Sequence, residues 1–583
     1  MNMHFKKSLL ASGIFFGSFC HAADINQSVF FGDSLTDSGY YTQINVNIGK
    51  FTTNPDKVWS EVLADHLGTA ANPSNNGQNG TNYAVGGAKS AEDTVNFGIS
   101  VPSAQSQVQN YLTNHQINPN ALYTVWIGAN DLLAVAQNPA NATSVITVAA
   151  QNTVGTVKTL HDNGAKVILV PNLPDVGLTP QATALGINAQ ATAATQLYNS
   201  SIYNGLLTTS ANVVPLDTFS LLQEVAQNPS IYGFSNTTST ACTGSSAICT
   251  DKGGSDYLFA DGIHPTGKAH KVVGDYAYGV LSAPVQIGQI SQSLITHGQN
   301  KGNFLHQRLH SDRQHQQNFW ATGTLTQQKN TQGKSSNKTD NINSNIQVGI
   351  DTSKNNYTLG AYLNYQNHDQ KWQQGGKFDV DSMGLGIYHQ QRFGKMHLNT
   401  QIGMDKLTIN THRQIALGQT IRSHKARANG HHMFVDMQAG FNMGNFTPYL
   451  GVNAQHVKIG QLLENDKTAT SMQFDKHTQK EIFAKAGVMG QLPISQNWQV
   501  FGDLGVSHRL VNDELAVKSR LQSISTPNRF SLTTPKADKT SVYGSVGVKT
   551  AIGKADLYAN LQGQTSGSDN TDVSGLIGVS YGF

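Results

Sequence analysis

The sequence predicts two units in tandem: an α/β three-layer sandwich with a parallel sheet, followed by a roughly twelve-stranded transmembrane β-barrel. Three observations predict this. A chain of 583 residues is too long for a single core. Its first half alternates short, wholly apolar runs with helix-like stretches. From about residue 317 onward, apolar and polar residues alternate one by one.

The first element is a leader. Lys6 and Lys7 precede a short apolar run, Leu9–Cys20, and Cys20-His21-Ala22 offers a small-x-small cleavage site. Residues 1–22 are therefore expected to be a signal peptide and Ala23 the mature start. An apolar run of about a dozen residues is too short for a bilayer, which needs ~20. Phe19 argues against lipidation of Cys20, because a small residue is needed there. Cleavage leaves Cys242 and Cys249, in the Ser/Thr-rich loop "ACTGSSAIC", and in an oxidising compartment this pair is expected to form a disulfide.

Residues 23–280 carry the α/β pattern. "SVFF" at Ser28–Phe31, "ALYTVWIGAND" at Ala121–Asp131, "AKVILVPNLPDV" at Ala165–Val176 and "ANVVPLDT" at Ala211–Thr218 are apolar on both faces, as buried parallel strands are. Between them lie helical stretches such as "SEVLADHLG" and "QNTVGTVKTLHDNG", the second ending at the helix stop Asn163-Gly164. Strand and helix in alternation predict the sandwich.

Residues 281–316 read as a linker helix. Over Val285–His310, Ile287, Ile290 and Leu294 keep a helical spacing on an otherwise polar segment. A polar helix placed before a barrel is suited to its lumen, although a surface linker fits the same pattern.

Residues 317–583 carry the barrel pattern. In "YTLGAYLNYQ", Tyr357, Leu359, Ala361, Leu363 and Tyr365 share one face, and Thr358, Gly360, Tyr362, Asn364 and Gln366 share the other. "FTPYLGVNAQHV" and "ADLYANLQGQ" repeat the arrangement. Strands are expected to begin near 317, 343, 356, 377, 394, 430, 446, 481, 497, 540, 554 and 573, separated by polar turns. Strands of this kind, with a terminal "GLIGVSYGF" that puts Ile577, Val579, Tyr581 and Phe583 on one face, indicate a barrel in lipid.

Composition excludes some functions. Charged residues are only 13%, against a usual quarter. The net charge is +3 with the basic residues scattered, so no nucleic-acid partner is expected. None of the 21 histidines stands in a metal-binding spacing with acidic partners, and neither metal nor cofactor is expected.

Candidate chemistry lies in the first half. "VFFGDSLTDSG" stops an apolar strand abruptly at Gly32-Asp33-Ser34, which either makes a turn or exposes a serine. "YLFADGIHPTGKAH" places Asp261 and His264 on one short loop near the end of the same half. A serine hydroxyl needs a neighbouring imidazole to take its proton, and a carboxylate fixes that imidazole's tautomer. Two segments could supply oxyanion donors. Gly86-Gly87 in "TNYAVGGA" is one, with a tight turn as the plain alternative. Asn130 in "WIGAND" is the other, with a helix cap as its alternative.

These blocks occur in a telling order: G-D-S-L at Gly32–Leu35, a Gly-bearing block at Asn82–Ala88, G-x-N-D at Gly128–Asp131 and D-x-x-H at Asp261–His264. The first half resembles the GDSL (SGNH) serine esterases and lipases. With the barrel attached, the whole chain resembles GDSL esterases of the autotransporter type. The resemblance implies Ser34 as nucleophile, His264 as base and Asp261 as its orienter. It also implies the Ser34 and Gly87 N–H groups and the Asn130 side chain as the oxyanion hole, with Gly86 as the neighbouring alternative to Gly87. The residue before the acid is Ala260 where the family often has an aromatic, which would open the acyl site.

The implied function is hydrolysis of acyl esters, including lipids such as phospholipids or lysophospholipids, at the surface of a Gram-negative outer membrane. The expected partners are an ester or lipid substrate, outer-membrane lipid and the barrel-assembly machinery, with the chain a monomer. A glycan O-acetyl esterase and an adhesin with residual esterase activity are the alternatives.

Overall fold

The structure is a computed structural model. It describes residues 25–583 apart from 46, 76, 78–79, 138, 250–255, 312–315, 331–338, 373–374, 513, 527 and 567–569. The leader expected at 1–22 lies outside the described residues.

The first half is built on a parallel sheet. β1 (Gln27–Gly32), β2 (Ala121–Trp126), β3 (Val167–Pro171) and β4 (Val213–Leu216) lie side by side in chain order. The segment Thr81–Val85 runs along the free side of β1 and exchanges backbone hydrogen bonds with Phe30 and Gly32. The strands are almost wholly buried because helices cover both faces. Those used below are α1 (Trp59–Leu67), α2 (Ala104–Asn114), α3 (Ala129–Gln137), α4 (Ala142–Asp162), α5 (Asn188–Leu206) and α6 (Thr218–Gln227). α4 stops where the sequence placed its end: Asn163 caps it and Gly164 follows with φ +108°.

α7 (Gly267–Ser311) is one helix of 45 residues that continues through Pro284. The division drawn between residues 280 and 281 therefore falls inside a single helix. Its first part buries Val272, Tyr276, Ala277 and Val280. Its second part lies inside the barrel, where Lys301 pairs with Asp405 at 3.0 Å and Arg308 with Asp351 at 2.6 Å. Gly298 and Gly302 let the helix come this close, since a Cβ on Gly298 would lie 2.3 Å from Gln455 and one on Gly302 2.5 Å from Asp436.

The second half is a closed barrel of twelve antiparallel strands, from Gln317–Asn330 to Asn570–Gly582, with the last strand paired to the first. Its polarity is the reverse of a soluble domain's. Leu359 and Leu363 are 51% and 67% exposed, whereas Asn364 and Gln366 on the opposite face are 6% and 2% exposed. An apolar outside around a polar lumen is the arrangement that lipid requires. No described helix is long and apolar enough to cross a membrane; the strands do so.

One strand start differs by ten residues. The strand expected near 430 begins at Thr420 and pairs along its whole length with Met396–Leu417. The two-strand extension carries a different pattern. Along Met396–Leu417 the inward residues are mostly polar up to Asp405 and mostly apolar beyond it, where Leu407, Ile409, Ile415 and Leu417 are buried together with Thr411 and Arg413. The outward residues change from Ile402 and Met404 to Lys406, Asn410 and His412. Only the lipid-facing part shows the barrel signature, so the sequence pattern located that part alone.

The loops beyond it form a four-stranded sheet, Leu462–Leu463, Met472–Phe474, Ala516–Leu521 and Phe530–Thr533, which the sequence did not reveal. Strands of two to six residues are too short for a period to register.

Candidate active site

β1 delivers Ser34 to the end of the sheet. Gly32 is needed there because a Cβ would lie 2.4 Å from the Trp126 carbonyl on β2. Gln107 of α2 brackets the Gly32 peptide. Its Oε1 accepts the Gly32 N–H at 2.9 Å, and its Nε2 donates to the Gly32 carbonyl at 2.9 Å. The chain then turns on Asp33, whose Oδ1 accepts the Leu35 N–H at 3.0 Å.

Ser34, His264 and Asp261 meet. His264 Nε2 lies 2.8 Å from Ser34 Oγ, and His264 Nδ1 lies 2.8 Å from Asp261 Oδ2. With the Nδ1 proton directed at the carboxylate, Nε2 is left to accept the serine proton. All three are nearly buried. Asp261 also accepts the N–H groups of Ile263, His264 and Ser246 at 3.0, 2.9 and 2.9 Å. Burial alone would raise the Asp261 carboxyl, but the His264 interaction and these N–H donors hold it well below the usual carboxylate range.

The oxyanion candidates lie alongside. The Gly86 N–H is engaged, donating to Asp37 Oδ2 at 2.9 Å. Gly86 lacks a side chain because the Phe51 ring, 5.1 Å from the His264 ring, occupies the space a Cβ would need. Gly87 has φ +90°, and its N–H has no intramolecular acceptor among the described residues. The Asn130 side chain donates one N–H to the Ala88 carbonyl at 2.9 Å, which leaves its second N–H. Asn130 is inside α3, which begins at Ala129, so it does not occupy the cap position. Gly128 precedes it with φ +115°, and the Tyr198 ring fills the place of a side chain. Asp131 accepts the Ser90 N–H at 3.0 Å and the Ser90 hydroxyl at 2.8 Å, tying α3 to the glycine loop. Sequence reasoning passed over Asp131, Gln107 and Asp37. Asp131 sits in the quoted G-x-N-D block and Asp37 in the quoted "VFFGDSLTDSG", so both were within reach, whereas Gln107 lies in no quoted motif.

An apolar cleft opens at Ser34. It is partly open to solvent and almost wholly apolar in its lining. Its walls include Leu221, Leu222, Val225, Phe234, Phe259, Val272 and Val273, and Ser34, Asn130 and His264 line it too. Ala260 does not face it. The expectation that Ala260 opens the acyl site fails, because this residue is fully buried beside the Cys242–Cys249 disulfide and does not line the cleft. Among the described residues no group of His, Cys, Asp or Glu could hold a metal ion.

Residues 29–277 match the family model for a GDSL-like lipase/acylhydrolase, and residues 319–562 match that for an autotransporter β-domain. The chain is 24% identical over 581 residues to Esterase EstA of Pseudomonas aeruginosa, covering 86% of this chain and 87% of that protein. It is 29% identical over 362 residues to Lipase 1 of Photorhabdus luminescens, covering 48% of this chain and 54% of the lipase. This match therefore spans about half of the lipase's length. Among solved structures, the translocator domain of the autotransporter NalP from Neisseria meningitidis aligns over 52% of this chain and 100% of that structure, at 17% identity and a TM-score of 0.44.

Proposed function

Given that the chain joins a GDSL-type esterase/lipase domain to an autotransporter β-domain, we propose that it hydrolyses esters of medium and long acyl chains, lipids included, through an acyl-enzyme on Ser34. The barrel holds the catalytic domain on the outer face of the outer membrane.

Ser34 Oγ attacks the ester carbonyl while its proton passes to His264 Nε2. Asp261 stabilises the imidazolium that forms. The carbonyl oxygen becomes an oxyanion, met by the N–H groups of Ser34 and Gly87 and by the free N–H of Asn130. The C–O bond to the alcohol breaks, and the alcohol leaves with the proton from His264. Water then loses a proton to His264 and attacks the acyl carbon; the bond from that carbon to Ser34 Oγ breaks, Oγ takes the proton back from His264, and the acid leaves.

The observation that carries this reading is the hydrogen-bonded line Ser34–His264–Asp261 beside an apolar cleft. A cleft of this lining favours an acyl chain over an acetyl group on a sugar. Two measurements test it. A fluorophosphonate probe is expected to label the wild type and not Ser34→Ala; equal labelling of both would overturn the nucleophile. On nitrophenyl esters of increasing chain length, kcat/KM is expected to peak at medium or long chains. Turnover confined to acetyl esters would overturn the acyl assignment.

A further inference from the structure

One wall of the cleft is gripped by the barrel. Leu221 and Val225 of α6 and Val272 of α7 line the cleft. Glu224, on the same stretch of α6, bonds instead to the barrel's outer loops. Its Oε1 accepts the Ala469 N–H at 2.8 Å, and its Oε2 lies 2.7 Å from Arg422. Arg422 belongs to the strand Thr420–Phe441. It also donates to the Tyr232 hydroxyl and, at 2.9 Å, to Thr470 Oγ1. Tyr276 of α7 donates to the Ala469 carbonyl at 2.7 Å and accepts the N–H of Asp217, the cap of α6, at 3.0 Å. At the hairpin tip the Gly418 N–H donates to Asp275 at 2.9 Å, and a Cβ on Gly418 would lie 2.9 Å from Val272. The two helices that wall the cleft are thus held from outside by one barrel hairpin and the loop at Ala469.

We propose that Arg422 is a positioning residue for the cleft: the barrel hairpin, acting through Glu224 on α6, holds the cleft to the width that a long acyl chain needs. The inference rests on reading the cleft as the acyl site. The arginine and glutamate side chains are only 17% and 25% exposed, so the pair is shielded enough to restrain the helix. Ser34, His264 and Asp261 are carried by β1 and the loop before α7, so chemistry on an ester too short to reach the wall does not depend on this grip.

The test uses the full chain with acetyl and decanoyl nitrophenyl esters. Arg422→Ala and Glu224→Gln are each expected to lower the decanoyl-to-acetyl ratio of kcat/KM by about three- to tenfold, within the range of couplings between contacting residues. The loss should appear in KM for the decanoyl ester, with acetyl turnover unchanged. The double variant should lose no more than either single one, and Arg422→Lys should recover part of the ratio. Val225→Trp tests the acyl reading separately, since it fills the cleft directly. An unchanged ratio in Val225→Trp sinks that reading. A reduced ratio there, with an unchanged ratio in Arg422→Ala and Glu224→Gln, overturns the positioning role. Equal loss on both esters overturns it as well, because a merely structural role produces that. Glu224→Gln leaves the barrel strand intact, so the ratio can be measured even if Arg422→Ala assembles poorly.

Discussion

The Asn130 amide gives one N–H to the Ala88 carbonyl and has one left over. If the second donates to the oxyanion, it acts mainly in the transition state. Asn130→Ala is then expected to lower kcat by about 10²–10³ with KM nearly unchanged. Asn130→Asp should be as slow, because a carboxylate repels the developing charge. Normal turnover in the Asp variant removes Asn130 from the site. Asp33 behaves differently. Burial is the main cause that raises its carboxyl to about 7, the Asp131 charge adding to it, and its Oδ2 has no hydrogen-bond partner. A carboxyl raised on folding contributes stability below its unfolded value, and that contribution is lost as pH rises through the folded one. The melting temperature of Asp33→Asn relative to wild type should therefore climb from about pH 4 to about pH 7 and level off above that. A difference that stays flat with pH would contradict an ionisable, poorly solvated Asp33.

The loop closed by Cys242 and Cys249 supports the acid as an element. Ser246, inside the loop, gives its N–H to Asp261, and its carbonyl accepts from Asn54 at 2.9 Å. A loop this short adds on the order of 2–3 kcal/mol by the chain-entropy model. Cys242→Ser with Cys249→Ser is expected to lower the midpoint of passenger unfolding and to reduce kcat, since one Asp261 donor loosens. Retained kcat with a lowered midpoint would confine the loop to stability. The hairpin Met396–Leu417 and Thr420–Phe441 shows a second element-scale rule. Its inward and outward residues exchange polarity at Asp405/Lys406 and, on the paired strand, at His431/His432. Beyond that line the hairpin turns apolar side chains such as Leu407 and Ile409 inward and polar ones such as Lys406 and Asn410 outward, as a soluble sheet does.

At the scale of the whole molecule, α7 joins the catalytic domain to the barrel by filling the lumen. Lys301 pairs with Asp405, and Asp436 bonds both His306 at 2.5 Å and Lys485 at 2.6 Å. Removing one member of a buried pair leaves the other charge without compensation, at a cost of about 3–5 kcal/mol. Lys301→Ala is expected to lower the temperature at which the barrel shifts mobility on an SDS gel. Lys301→Met with Asp405→Leu should restore much of it. Equal shift temperatures for Lys301→Ala and wild type would mean that lumen water screens the pair.

What the sequence by itself determined were the features that repeat or that chemistry restricts. The twelve strands were legible because lipid imposes a two-residue period on each of them. The four buried strands were legible because both their faces are apolar. Ser34, Asp261 and His264 stood out by residue type and order, and folding brings Ser34 and Asp261 each within 2.9 Å of His264. The tertiary structure alone decided matters that depend on who already holds a hydrogen bond. The Gly86 N–H is taken by Asp37 and that of Gly87 is not, although the two glycines are identical in sequence. Gln107, Asp37 and Asp131 act on peptides about 40 to 75 residues away, a separation no local pattern reports. The grip of Arg422 on Glu224 likewise exists only once barrel and catalytic domain are packed together. Local periodicity records what the solvent demands of each residue, whereas contacts between distant segments are fixed only by packing.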